Sequence, residues 1–291
     1  MPTPENLEAD GWTKVKTHPL YPTSWLMRYD GNNGSGKYEQ FLQSKRHEWP
    51  GSGLQVSEKD LPSLLYGFQH ALVRWALRKG RAAIWADTGL GKTLMQLAWA
   101  AHIPGRVLIF APLAVNRQTM AEAQKLSMVV GTLGSGERIE ITNYERLHQV
   151  DASAYAGIVL DESSILKAVD GKTRTRLIAA FAHTPWRLCC TATPAPNDIA
   201  ELANHCEFLG VRTRAEMLAT FFVHDETGWR LKGHAHDAFY RWLASWGLFV
   251  KSPGDLGWAE EDSLFSLPPL NISDHVVGGG GGPSGEYLFA G

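Results

Sequence analysis

A glycine-rich stretch at residues 86–93, Ala-Asp-Thr-Gly-Leu-Gly-Lys-Thr, constrains the fold of this chain more than any other. It fits the phosphate-binding loop (P-loop) pattern, with Ala86 where a glycine often opens the motif. The run at 81–85 before it predicts a short buried strand, and residues 93–100 after it predict a helix. A turn from a strand into a helix lets successive N–H groups converge on phosphate oxygens. The stretch therefore predicts an α/β domain with a nucleotide site.

The residues of the P-loop have different expected roles in binding nucleotide and magnesium. Gly89 and Gly91 permit a tight turn, Lys92 would place a positive charge on the β- and γ-phosphates, and the Thr93 hydroxyl would ligate Mg²⁺. The alternative is a glycine-rich strand–helix turn with an idle lysine. The expected nucleotide contacts within the loop are Thr88, Gly89, Leu90, Gly91, Lys92 and Thr93.

An acidic pair closes a second apolar run. Residues 157–160, Gly-Ile-Val-Leu, predict a buried strand that ends in Asp161-Glu162-Ser163-Ser164. A carboxylate at the carboxyl end of a parallel strand downstream of a P-loop suits a second magnesium contact, which we assign to Asp161. Glu162 would accept the proton of the water that attacks the γ-phosphate. The alternative is a solvated acidic loop, but an acidic pair directly after an apolar strand favours the catalytic interpretation.

A third strand, predicted at 187–190, leads into Thr191-Ala192-Thr193-Pro194. The P-loop, Asp-Glu and Thr-Ala-Thr-Pro motifs, in this order, resemble the first RecA-like lobe of superfamily 2 helicases and translocases. The resemblance extends over about residues 38 to 275. Further segments that carry it are Phe68-Gln69, residues 108–118, residues 141–145, Lys167, Asn197-Asp198 and Glu201-Leu202. These segments point to the Snf2-like branch and are similar to phage-encoded DEAD/DEAH-type helicases.

This resemblance implies ATP and Mg²⁺ as cofactors and DNA as the partner, with duplex DNA favoured over single-stranded DNA or RNA. It implies that Gln69 reads adenine, the alternative being a surface amide at the start of a helix. Thr191 and Thr193 would relay the state of the γ-phosphate to the nucleic-acid face. The implied nucleic-acid contacts are Pro112, Thr142 and Asn143.

The chain departs from the family pattern in two motifs. Ser163-Ser164 replaces the commoner Ala-Asp or Ala-His, and Thr-Ala-Thr-Pro replaces the Thr-Gly-Thr-Pro of typical Snf2 proteins. Duplex DNA, forked DNA and RNA therefore all remain open as substrates at this point.

Composition limits the class of protein. The 291 residues are 44% hydrophobic, and the formal net charge is −2, so any nucleic-acid face has to be local. Cys189 and Cys190 lie in a predicted core strand, and the three cysteines fit neither a disulfide framework nor a zinc site. His234 and His236 could be read as a metal pair, but no zinc-ligand spacing completes it. Without a secretion signal or membrane span we expect a cytoplasmic protein of a bacterium or phage-infected cell.

The chain divides into three expected regions. Residues 1–58 form an N-terminal arm and linker, and residues 59–268 form a RecA-like lobe with a parallel sheet, helical from about 197 onward. Aromatic residues within 197–262 are expected to be core more than a base-stacking platform. The core strands are expected at Ala82–Trp85, Val107–Phe110, Ile139–Thr142, Ile158–Leu160 and Leu188–Cys190.

Residues 269–291 are expected to be a stub of a second lobe followed by a flexible glycine-rich tail. On that expectation a second lobe or a partner protein supplies the arginine finger. The chain would then be one lobe of an ATP-dependent motor. The competing hypothesis is a nucleotide-binding interaction module with no turnover of its own.

Overall fold

A seven-stranded parallel sheet forms the centre of the computed structural model, which describes residues 49–167, 171–226 and 228–266. The strand order is β3-β4-β2-β5-β6-β1-β9, and every neighbouring pair is parallel. A separate antiparallel hairpin consists of β7 and β8. The strands are β1 (Arg81–Ala86), β2 (Val107–Phe110), β3 (Gly131–Thr132), β4 (Ile139–Thr142), β5 (Gly157–Asp161), β6 (Trp186–Cys190), β7 (Phe222–Asp225), β8 (Gly228–Leu231) and β9 (Gly247–Val250).

Helices connect the strands, because successive parallel strands need a crossover that returns the chain to the same edge of the sheet. The helices are α1 (Gly67–Lys79), α2 (Lys92–His102), α3 (Asn116–Lys125), α4 (Lys172–Ala180), α5 (Leu202–Leu209), α6 (Arg214–Phe221) and α7 (His236–Ala244).

The sheet is buried on both faces. All four residues of β2 are buried, as its continuous apolar sequence predicts for a covered parallel strand. Along β1, Ile84 packs into the cluster that contains Phe68 of α1 and Trp99 of α2. Its neighbour Trp85 packs into the opposite cluster with residues of α5 and α7. This alternation follows from the two-residue period of a strand, which points successive side chains to opposite faces.

The sequence located the five expected core strands correctly, and the expected RecA-like α/β class is confirmed. The expectation of a helical region from 197 onward omitted β7, β8 and β9. β9 pairs in parallel with β1 and so extends the main sheet. Gly247 makes this pairing possible, because a Cβ there would lie 2.6 Å from the Trp85 ring. The aromatic residues Phe221, Phe239, Trp242 and Trp246 are core, as expected.

Three other expectations concern the two ends of the chain, the cysteines and membrane-spanning helices. The N-terminal arm up to residue 48 and the second-lobe stub at 269–291 lie outside the described residues. All three cysteines are buried free thiols. In the described ranges, no helix combines the length and apolar character needed to cross a membrane.

Candidate active site

The P-loop joins the carboxyl end of β1 to the start of α2. Gly89 has φ 84° and Gly91 has φ 76°, a left-handed region that favours glycine. Gly91 also lies close to a neighbour, since a Cβ on it would be 2.4 Å from Gln69 Nε2. Residues 87–89 are exposed, whereas Leu90 is buried and anchors the loop in the core. The predicted turn from strand to helix is therefore present, with its glycines where the backbone requires them.

Lys92 is the first residue of α2 and folds back over the loop. Its Nζ donates to the carbonyl oxygens of Ala86 at 2.9 Å and Asp87 at 3.0 Å. These acceptors are main-chain groups, so a phosphate oxygen reaching the loop would compete for the same ammonium protons. At the loop entrance, the Asp87 N–H donates to the Val250 carbonyl at 2.8 Å, which fixes the loop to β9.

Asp161 ends β5 and meets the helix that follows the P-loop. Its Oδ1 accepts a 2.7 Å hydrogen bond from Nε2 of Gln96, a fully buried side chain one turn after Lys92 on α2. Burial raises the pKa of Asp161, and the Gln96 hydrogen bond and the Lys92 charge act in the opposite direction. Sequence reasoning missed Gln96. The signal was present, since one amide interrupts an otherwise apolar stretch of α2.

Glu162 has φ 54°, a left-handed conformation that is uncommon for residues other than glycine and is often found at functional sites. Its Oε1 accepts from Ser164 Oγ at 2.6 Å and from Thr191 Oγ1 at 2.7 Å. The sheet register explains the second contact. Asp161 is paired with Cys190, so the residues that follow them, Glu162 and Thr191, lie side by side.

Of the two residues expected to relay the phosphate state, Thr191 contacts Glu162 through its side chain. Thr193 contributes its backbone N–H, which donates to Thr191 Oγ1 at 3.1 Å. The hydroxyl of Thr191 thus bridges the acidic pair and the turn that follows β6.

Ser163 and Ser164, which follow the acidic pair, both make side-chain hydrogen bonds. Ser164 holds Glu162, and Ser163 Oγ lies 3.1 Å from Nε2 of His205 on α5. Burial lowers the pKa of His205 to about 3, so this imidazole is neutral at physiological pH. Sequence reasoning missed His205, whose partner lies 42 residues away along the chain.

The residues present fit a magnesium ion. The Thr93 hydroxyl and the Asp161 carboxylate are hard oxygen ligands of the kind that Mg²⁺ prefers. A cation would also offset the desolvation that raises the pKa of Asp161. In the described ranges no group of three or more His, Cys, Asp and Glu could hold a metal.

Gln69 is buried, so its expected alternative as a surface amide is wrong. Its Nε2 donates to the Leu90 carbonyl in the P-loop at 3.0 Å, and its Oε1 accepts from the Tyr66 N–H at 3.0 Å. An amide has a second N–H and a second lone pair, so these bonds leave one donor and one acceptor for a base edge. Gln69 therefore ties the start of α1 to the loop, and adenine reading stays a prediction.

Replacing Gln69 with alanine is expected to weaken the binding of ATP more than that of GTP and to narrow the preference between the two. The reason is that the paired donor and acceptor of the amide match the edge of adenine and not that of guanine. Competition titrations with both nucleotides measure the effect. An equal loss for both would mean that Gln69 only supports the P-loop.

A pocket of about 560 Å³ opens at the same edge of the sheet as the acidic pair, between the start of α3 and the end of β4. Thr142 and Asn143, two of the three expected nucleic-acid contacts, line it. Pro112 directly precedes the lining residue Leu113 but does not itself line the pocket. The lining residues are Leu113, Ala114, Asn116, Arg117, Met120, Thr132, Ile141, Thr142, Asn143 and Arg146.

The polar groups of the pocket suit an anionic ligand that carries hydrogen-bonding groups. Thr142 Oγ1 and Asn116 Oδ1 are buried and have no hydrogen-bond partner within the described part of the chain. Such atoms are rare in folded proteins and favour a ligand or water at this position. Arg117 and Arg146 are exposed and add positive charge at the rim. Neither arginine was expected from sequence, because each is indistinguishable there from a solvated surface residue.

Comparisons with known proteins agree with this architecture. No protein-family model matches the chain. A Xenopus tropicalis protein, SWI/SNF-related matrix-associated actin-dependent regulator of chromatin subfamily A-like protein 1, is 29% identical over 175 residues, 54% of this chain and 18% of that protein. The Sulfolobus solfataricus SWI2/SNF2 ATPase core, solved in complex with dsDNA, superposes with a TM-score of 0.57 at 18% identity. The match covers 68% of this chain and 47% of that one.

The UvsW helicase from bacteriophage T4 is also similar, with a TM-score of 0.45 at 15% identity over 61% of this chain and 75% of that one. The chain thus shares the fold of the Sulfolobus ATPase core and spans less than half of the length of that chain and of the frog protein.

Proposed function

We propose that this chain is the first RecA-like motor lobe of a Snf2-like superfamily 2 enzyme that hydrolyses ATP with Mg²⁺ to translocate along, or unwind, DNA. The observation that carries the proposal is the meeting of three elements at one edge of the sheet. Lys92 lies in the P-loop, the acidic pair ends β5, and the Thr191 hydroxyl reaches Glu162. The frog relative and the Sulfolobus fold favour the Snf2-like branch.

Each residue has a defined role in the proposed reaction. Lys92 would exchange its carbonyl acceptors for β- and γ-phosphate oxygens. Thr93 and Asp161 would hold Mg²⁺, which when bound neutralises charge on those oxygens. Glu162 would take the proton of the attacking water, with its carboxylate oriented by the hydroxyls of Ser164 and Thr191.

The nucleic acid is proposed to bind at the pocket on the same edge of the sheet. Arg117 and Arg146 would attract a backbone phosphate, and the unpartnered Thr142 hydroxyl would donate a hydrogen bond to one of its oxygens. Because the net charge is −2, attraction depends on this local charge and should weaken steeply with salt. Duplex DNA is the favoured partner, in line with the dsDNA complex of the Sulfolobus ATPase core.

Turnover is proposed to need an arginine from a second RecA-like lobe or a partner protein, because such a finger is worth about 10³–10⁵ in rate. By itself the lobe would then bind nucleotide and hydrolyse almost none. The alternative functions are a nucleotide-binding interaction module without turnover and the lobe of an RNA helicase. An ATP hydrolysis assay with duplex DNA, single-stranded DNA or RNA, run with and without a second lobe, distinguishes the DNA motor lobe from these two alternatives.

In the same assay, Glu162→Gln is expected to retain ATP binding and to lower turnover by about 10²–10⁴-fold. Glutamine keeps the shape of the side chain and an oxygen for the Thr191 hydroxyl, but it cannot take a proton at neutral pH. Hydrolysis and nucleotide affinity are measured on the same samples. Glu137→Gln is a suitable control, since Glu137 is an exposed carboxylate in the loop before β4. Normal turnover in Glu162→Gln would show that another residue activates the water.

A further inference from the structure

Tyr144 contacts the end of β5, where the acidic pair lies, and directly follows the pocket-lining residue Asn143. Its hydroxyl donates a 2.6 Å hydrogen bond to the main-chain carbonyl of Asp161. Its ring stacks on Phe110 of β2, with centroids 5.5 Å apart and planes inclined by 20°. Phe110 is fully buried, so the ring rests on a rigid part of the core. The bonded carbonyl lies between the Asp161 side chain and the left-handed Glu162, the two residues expected to serve the nucleotide.

Along the chain, Tyr144 directly follows two residues that line the pocket. It follows Thr142 and Asn143 and is the first residue of a 3₁₀ turn, Tyr144–Gln149. The side chain of Asn143 caps this turn by accepting a 3.2 Å hydrogen bond from the Arg146 N–H. A ligand that engages Asn143 or Arg146 therefore acts on the turn that positions the Tyr144 ring.

We propose that Tyr144 is a positioning residue through which occupancy of the pocket changes the magnesium–nucleotide site. This inference rests on the proposed function, because it takes nucleic acid as the ligand of the pocket. A ligand that binds Asn143 and Arg146 shifts the turn that begins at Tyr144. The hydrogen bond from the tyrosine hydroxyl to the Asp161 carbonyl then shifts the end of β5. The route differs from the one through Thr191, which reaches Glu162 from β6.

The thermodynamic consequence is reciprocal linkage. If nucleic acid changes the affinity for Mg²⁺-nucleotide by some factor, the nucleotide changes the affinity for nucleic acid by the same factor. We expect bound duplex DNA to tighten the binding of a non-hydrolysable ATP analogue by roughly fivefold or more, the lower range of typical coupling. Tyr144→Phe keeps the stacked ring and removes only the hydroxyl, and we expect it to reduce the factor to less than about twofold.

The experiment uses the whole chain at low ionic strength, where phosphate contacts to DNA are strongest. Fluorescence titrations measure the affinity for the magnesium–ATP analogue with and without a saturating short duplex, for the wild type and the variant. DNA binding is measured separately for both. Tyr155→Phe is the matched control, because the Tyr155 hydroxyl also donates a hydrogen bond, to the Glu140 carboxylate, but near the opposite end of β5.

The inference is supported if Tyr144→Phe loses the linkage while Tyr155→Phe keeps it. A wild-type factor of one, or an unchanged factor in Tyr144→Phe, overturns it. A loss of linkage in both variants also overturns it, because a general loosening of the fold would then be the cause. If the wild type binds neither ligand, the proposed function fails as well. If both ligands bind without linkage, only the inference fails.

Discussion

Replacing Lys92 with alanine is expected to weaken the binding of Mg²⁺-ATP by about 10- to 100-fold, the loss that follows from removing one or two charge-assisted hydrogen bonds. The lysine ammonium now donates to the carbonyls of Ala86 and Asp87, and phosphate oxygens are stronger acceptors for it. The fold should survive, because the present partners of the ammonium are loop carbonyls that water can satisfy. Isothermal calorimetry of wild type and variant measures the effect.

The control for this prediction is Lys125→Ala. Lys125 is also a helical lysine, it is exposed, and its described partner is Glu122 on the same helix. Its removal should leave nucleotide affinity unchanged. An unchanged affinity in Lys92→Ala would show that the glycine-rich turn is not a phosphate site and would remove the basis of the proposed function.

The largest expected effect on stability lies at the opposite end of the sheet, where Glu140 is fully buried in β4. Arg106 pairs with it at 3.0 Å, the Gly136 N–H donates to it at 2.8 Å, and the Tyr155 hydroxyl donates to its other oxygen. Burial alone would raise the pKa of Glu140. The hydrogen bonds from Tyr155 and Gly136 and the Arg106 charge outweigh burial, so the pKa is lowered.

Glu140→Gln is expected to lower the free energy of unfolding by about 1.5 to 3 kcal/mol at neutral pH, the range for lost hydrogen bonds to a charged group. The expected loss of unfolding free energy is modest for a buried ion pair, because the Arg106 side chain is 38% exposed and keeps part of its hydration. Urea unfolding measures the loss. The exposed Glu137, in the same loop, provides the control variant Glu137→Gln, which should change stability little.

The loss of unfolding free energy in Glu140→Gln should depend on pH and should be smaller in acid than at neutral pH. A carboxyl group with a lowered folded pKa contributes stability above its unfolded pKa of about 4.3, and that contribution disappears as the pH falls through the folded value. The difference between wild type and Glu140→Gln should therefore shrink in acid. A difference that stays constant from neutral pH down to about pH 3 would mean that shape, and not charge, makes Glu140 stabilising.

The parts of the candidate site that could be predicted from sequence are those whose contacts join residues close together along the chain. The strand, the glycine turn and the helix of the P-loop follow from neighbouring residues, because each backbone conformation there is selected by the residue that adopts it. The contacts of Asp161 and Glu162 are different. Gln96 lies 65 residues from Asp161, and Thr191 lies 29 residues from Glu162. Sequence predicted that the acidic pair ends a strand, but not which side chains meet it.

The class of fold, the five core strands and the chemistry available at their ends could be predicted from local residue patterns, since the hydrophobic period and the turn residues are read directly from the chain. The order of the strands, the place of β9 beside β1 and the contact of Tyr144 with Asp161 became visible only in the folded domain. Strand order depends on which apolar faces bury each other across the whole domain. Four residues such as Gly247–Val250 therefore carry too little local preference to reveal it.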